Sequence, residues 1–115
     1  MSLHQDLEQL LRRLVLNDEA TVGAALSMPL ALGWSGLVDA KTCALVRLAA
    51  LIALQSSPAS FGWSVEAALA AGATDEEVVG VIVAVAPVVG VARVSCASTD
   101  IASVMGSDID LPDWE

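Results

Sequence analysis

Fifteen consecutive residues without a charge, VVGVIVAVAPVVGVA from Val78 to Ala92, limit the folds open to this chain more than any other feature. A transmembrane helix needs about 20 apolar residues, so this run is short of spanning a bilayer. Valine favours strands, and an apolar run without a clear period suits a buried strand as well as a buried helix. The residues just ahead of it decide. Thr74, Asp75, Glu76 and Glu77 have the form of a capping box, with Thr74 as N-cap and Glu77 at the third helical position, each able to satisfy an otherwise orphaned backbone N–H. The run therefore reads as a helix, and a helix this apolar belongs at the centre of an assembly. Pro87 lies well inside it and is expected to kink or break it, because proline removes a hydrogen bond and clashes with the preceding turn. A last helix then covers about Val91 to Met105.

The rest of the chain also reads as helices. Leu3, Leu7, Leu10, Leu11 and Leu14 form one stripe of a first helix, about Leu3 to Leu16, with polar residues on its other side. A short second helix runs from about Asp18 to Leu26, and Gly33 and Gly36 around Trp34 mark a loop. Asp39 is a good N-cap for a helix from about Ala40 to Gln55, whose only charge after Thr42 is Arg47. Another long helix starts near Pro58 and ends at Gly72, where glycine supplies the left-handed position. The acidic tail SDIDLPDWE is expected to fray or dock on a neighbour. No alternating strands and no repeats appear. The fold class is all-α, a bundle of five or six helices in a single domain covering residues 1–115.

Length and composition bound the function classes. The chain has 115 residues, of which 56% are hydrophobic, mostly Ala, Val and Leu. A single domain of this size cannot hide so much apolar surface, which argues for a homo-oligomer. Five basic against fourteen acidic residues give a net charge of −9. Beyond Arg12-Arg13 there is no cationic cluster, so neither nucleic acid nor an acidic membrane surface is an expected partner. The N-terminus lacks the pattern of a secretory signal. Cys43 and Cys96 stand far apart without motif spacing and read as small buried hydrophobes in a reduced, cytoplasmic protein.

The segment DAKTCALVRLAALIAL from Asp39, a short polar turn, and then VEAALAAGATDEEVVGVIVAVAPVVGVARV resembles the carboxymuconolactone decarboxylase family, which includes the alkylhydroperoxidase D-like proteins. The resemblance lies mainly in residues 39–95. Its most specific part is AALAAGATDEEVVGVIVAVAPVVG, where helix, Gly-Ala-Thr turn, acidic cap, apolar helix, proline and glycine follow in the family's order. The resemblance implies an all-α fold that assembles as trimers or hexamers, with active sites between helices near subunit contacts. It also implies where a redox site would stand. The redox branch carries Cys-x-x-Cys-x-x-x-His just ahead of the AAL segment, and those positions fall on Ser57, Ser60 and Ser64. The relay glutamate falls on Leu45 and a second histidine on Ala59. The decarboxylase branch keeps a histidine that again falls on Ser64. The one histidine of the chain is His4, on the polar side of the first helix. At these positions neither a thiol nor an imidazole is thus available for the family's usual chemistry.

The serines have their own reading. Ser57 before Pro58 is a helix start, with serine at the N-cap and proline at the first helical position. Ser60 and Ser64 lie on one face of that helix, able to donate hydrogen bonds but poor nucleophiles without a base. Together with the helix start they suit a small anion. Arg47 either anchors such a carboxylate or pairs with Glu66. Trp63 either walls the pocket or fills the core. Arg93 reaches an interface or closes a helix end. No phosphate loop and no metal-ligand set is present, and no cofactor is expected.

Three functions follow. In the first, the chain is a non-redox family member that binds a small carboxylate through Ser57, Ser60, Ser64, Arg47 and Trp63, or has no chemistry of its own. In the second it is a lyase, decarboxylase or isomerase acting on a small carboxylate, with Glu66 transferring the proton. In the third it is a peroxidase or disulfide reductase using Cys43 and Cys96.

Overall fold

The structure, a computed structural model, describes residues 5–26 and 38–106. Among the described residues all regular structure is helical: α1 (Gln5–Val15), α2 (Glu19–Leu26), α3 (Ala40–Leu54), α4 (Pro58–Ala70), α5 (Asp75–Val89) and α6 (Val91–Val104). The class is all-α, as the sequence indicates. The readings made at His4, at the loop around Trp34 and in the acidic tail lie outside the described residues.

Local chemistry sets each boundary. Asn17, at φ 56°, closes α1. Its N–H donates to the Leu14 carbonyl at 3.1 Å and the Asp18 N–H donates to Arg13 at 2.9 Å, the paired bonds of a Schellman turn. Asp18 then caps α2, accepting from the Thr21 N–H at 3.0 Å and the Thr21 hydroxyl at 2.7 Å. Asp39 caps α3 by accepting the Thr42 N–H at 2.6 Å. Gly72, at φ 100°, closes α4, with Gly72 N–H on Leu69 and Ala73 N–H on Ala68. The capping box forms in full: Thr74 Oγ1 accepts the Glu77 N–H at 3.1 Å, and Glu77 Oε1 accepts the Thr74 N–H at 2.9 Å.

Two boundaries differ from the sequence reading. Pro87 does not end α5, which continues to Val89 and stops at Gly90, at φ 89° and ψ 164°. Proline's missing donor would have served the carbonyl of Val83, and Val83 is 69% exposed. The freed carbonyl thus belongs to a residue on the exposed side of α5, away from the core. The helix α3 ends at Leu54 rather than Gln55, because Gln55 itself takes the left-handed turn at φ 52°.

The four helices α3 to α6 form the packed unit. α3 and α6 are each flanked by α4 and α5, so that α3 lies diagonal to α6 and α4 diagonal to α5. The core between them consists of Leu48 and Ile52 from α3, Phe61 and Val65 from α4, Val78 and Ile82 from α5, and Ala97 and Ile101 from α6, with Ala44, Ala68 and Ala73 filling the gaps. Each fully buried large side chain contributes roughly 1.5–3 kcal/mol. α1 packs on α2, and among the described residues neither packs substantially on the four-helix unit. No helix of the described residues is long and apolar enough to cross a membrane.

The cysteines do not behave as small buried hydrophobes. Cys43 is half-buried and Cys96 is exposed. Cys43 sits in the first turn of α3, whereas Cys96 lies beside Ile52, Gln55 and Ser56 at the far end of that helix. The nine residues from Cys43 to Ile52 rise about 14 Å along the axis, too far for the two thiols to meet.

Candidate functional site

The start of α4 is built by the residue pair that the sequence singles out. Ser57 is extended, at φ −70° and ψ 157°, and Pro58 occupies the first helical position. Ser57 Oγ accepts the Ser60 N–H at 3.3 Å, and the Ser57 carbonyl accepts the Phe61 N–H at 3.1 Å. Pro58 has no N–H to offer. Most donors at this helix start are thereby used within the turn, which leaves little for an anion at the backbone itself.

The side chains do more. Arg47, Ala50 and Leu51 from α3 and Ser60, Trp63 and Ser64 from α4 line one groove of about 360 Å³. Three of the predicted polar residues and the tryptophan thus meet. Ser57 stands behind them: its Oγ lies 3.1 Å from Ser60 Oγ. With one lone pair of Ser57 taken by the Ser60 N–H, its own proton is free for Ser60 Oγ. Either hydroxyl can donate in this pair, and with Ser57 as the donor the Ser60 proton is left for a ligand in the groove.

Trp63 walls the groove and is 77% exposed, so it does not fill the core. That place belongs to Phe61, two residues earlier on the opposite side of the helix. Ser64 is buried at the groove's base, 7% exposed. Arg47 is half-buried, and among the described residues it has no carboxylate partner. The pairing with Glu66 is not formed. Two residues beyond Ser64, Glu66 points about 160° round the helix from it, is exposed, and lies outside the groove. Ala50 and Leu51 were not anticipated as walls. Their signal was present, since they follow Arg47 by three and four positions and share its face of α3.

Leu45 does not enter this groove. It lies in a second depression of about 330 Å³ between α3 and α5, with Val46, Val81, Val85 and Val88. A third and larger groove, about 630 Å³, runs between α5 and α6. Both carry exposed apolar side chains that the described residues leave uncovered, among them Val83 and Val88.

Comparison with known proteins places the sequence. The profile of the carboxymuconolactone decarboxylase family matches residues 20–103, the span from α2 to the end of α6. No curated protein and no solved structure matches the chain significantly.

Proposed function

The chain belongs to the carboxymuconolactone decarboxylase family, and we propose that it is a member without the thiol peroxidase site, whose groove between α3 and α4 binds a small carboxylate. The convergence of Arg47, Ser60 and Ser64 on one groove carries this reading. A guanidinium meets a carboxylate with two parallel charge-assisted bonds. The Ser60 and Ser64 hydroxyls suit the remaining lone pairs. Trp63, Leu51 and Ala50 offer an apolar wall for the rest of the molecule.

Among the described residues no thiol, imidazole or carboxylate lines this groove. It holds groups that bind and orient, but neither the nucleophile nor the base that the family's chemistry needs. Glu66 stands outside it, which favours binding over a lyase, decarboxylase or isomerase reaction. The separation of Cys43 from Cys96 likewise favours binding over thiol redox chemistry.

Self-assembly belongs to the same reading. The exposed valines of α5 support a homo-oligomer, because apolar grooves on both sides of one helix are costly to leave in water; a homo-trimer or homo-hexamer is what the family resemblance implies.

Calorimetric titration with benzoate and adipate, against uncharged benzamide, tests the groove. A carboxylate of this set binds, benzamide does not, and Arg47→Met weakens binding by about tenfold or more. Equal affinity in Arg47→Met, or no binding of either carboxylate, would overturn the proposal.

A further inference from the structure

Among the described residues, a wide apolar groove and a strongly amphipathic helix are both left uncovered. The groove between α5 and α6 is about 630 Å³, and the two helices run antiparallel along it, from Asp75 and Met105 at one end to Ala86 and Val94 at the other. Val79 and Val83, on its α5 wall, are 48% and 69% exposed. α1 carries Leu7, Leu10, Leu11 and Leu14 at helical spacing and buries none of its residues. It also lies before the matched family region, which begins at residue 20.

The two surfaces agree in length and in charge. The eleven residues of α1 span about 16 Å, as does the α5 wall from Asp75 to Ala86. α1 has Asp6 and Glu8 in its first turn and Arg12 and Arg13 in its last. α5 begins with Asp75, Glu76 and Glu77. Of these, Glu77 is tied to Thr74 and Lys41, whereas Asp75 and Glu76 have no ion-pair partner among the described residues. At the other end, α6 starts at Gly90 without a side-chain cap, and Arg93 is exposed in its first turn. In a chain of charge −9 most surfaces of a second copy repel an acidic helix start. The Arg12-Arg13 end of α1 carries the one pair of adjacent basic residues in the sequence.

The geometry points to α1 of a second copy of this chain as the occupant of the α5–α6 groove. It lies antiparallel to α5, with Leu11 and Leu14 on Val79 and Val83. Arg12 and Arg13 meet Asp75 and Glu76, and Asp6 and Glu8 lie over the uncapped start of α6 beside Arg93. This is helix-in-groove recognition, with the charges setting its direction. It rests on the self-assembly part of the proposed function and adds the segment that performs it.

Disulfide trapping in a full-length Cys43→Ser, Cys96→Ser background, together with sedimentation at micromolar concentration, tests it. Mixing one protein carrying Leu14→Cys with another carrying Val79→Cys gives a covalent heterodimer on mild oxidation, whereas Leu7→Cys with Val79→Cys does not. Arg12→Glu with Arg13→Glu raises the dissociation constant about tenfold or more, and Asp75→Lys in the same chain restores association. Circular dichroism checks that each variant folds, and α1 lies outside the core. A linkage formed within one chain carrying both cysteines, but not between chains, overturns the proposal in favour of α1 folding back on its own groove. An oligomer that persists without the trapped pair overturns the docking and leaves self-assembly standing. A parent that sediments as a monomer overturns both.

Discussion

Lys41 Nζ lies 3.1 Å from Glu77 Oε2, so that an ion pair joins the first turn of α3 to the first turn of α5. The other oxygen of the same carboxylate accepts the Thr74 N–H at 2.9 Å and closes the capping box. One side chain thus fixes where α5 starts and how it meets α3. The ion pair is surface-exposed and contributes little by itself. The cap is the larger part. Replacing Thr74 with Ala removes an N-cap oxygen and costs about 1 kcal/mol, read as a lower urea midpoint at unchanged slope.

Acid weakens the same helix starts. The Thr74 backbone N–H, followed by Lys41, holds the Glu77 carboxyl below its ordinary pKa, and the Thr42 backbone N–H does the same for Asp39. A carboxylate whose pKa is lower in the folded state stabilises fully above its unfolded pKa. That stability is lost as the pH falls through the folded value. The melting temperature therefore stays level from pH 7 to about pH 5 and falls below about pH 4, where these groups take up protons. Glu77→Gln flattens the fall. A parent as stable at pH 3 as at pH 7 would count against this account.

The two aromatic residues of α4 separate core from groove. Phe61 is 2% exposed among Leu48, Ile52 and Val65, whereas Trp63 faces outward. Phe61→Ala should cost about 3–5 kcal/mol through the cavity it leaves. Trp63→Ala should change stability by about 0.5 kcal/mol or less yet weaken carboxylate binding. Urea unfolding of both variants, with one titration of Trp63→Ala, checks the pair.

That division was not legible beforehand. Composition marks both aromatics as core candidates, and which of them turns inward depends on the angle at which α4 meets α3 and α6, which no local pattern encodes. What was legible rests on local chemistry. Asp39, Ser57-Pro58, Gly72 and the Thr74–Glu77 box each satisfy backbone groups within a few residues, so the sequence alone places those boundaries. Pro87 does not break α5 where it stands, because the cost of a proline in a helix depends on its surroundings, a tertiary property. Arg47, Ser60 and Ser64 are legible as candidates, but their meeting in one groove, and the absence of Glu66 from it, follows from helix packing.

Gln55 shows a cost that the sequence does not announce. It holds the left-handed turn after α3, with its N–H on Ile52 at 3.2 Å and the Ser56 N–H on Leu51 at 3.1 Å. A residue with a Cβ costs roughly 1–2 kcal/mol there, part of which glycine gives back through its freer unfolded chain. Gln55→Gly should therefore raise stability by about 0.5–1 kcal/mol, and Gln55→Val should lower it. Thermal unfolding of the two variants reads both signs.

Ser57 allows capping and binding to be separated. Aspartate caps a helix as well as serine does and complements the positive end of its dipole. Ser57→Asp should therefore leave the melting temperature unchanged or slightly raised. The same substitution places a negative charge behind Ser60, whose Oγ lies 3.1 Å from that of Ser57. A carboxylate there can only accept, so the Ser60 hydroxyl is drawn to donate toward it rather than to a ligand in the groove. Carboxylate affinity should fall about tenfold, and by less at high salt, where the added charge is screened. A variant that keeps both its melting temperature and its affinity would show that the Ser57–Ser60 pair only caps the helix. Binding would then rest on Arg47 and Ser64 alone.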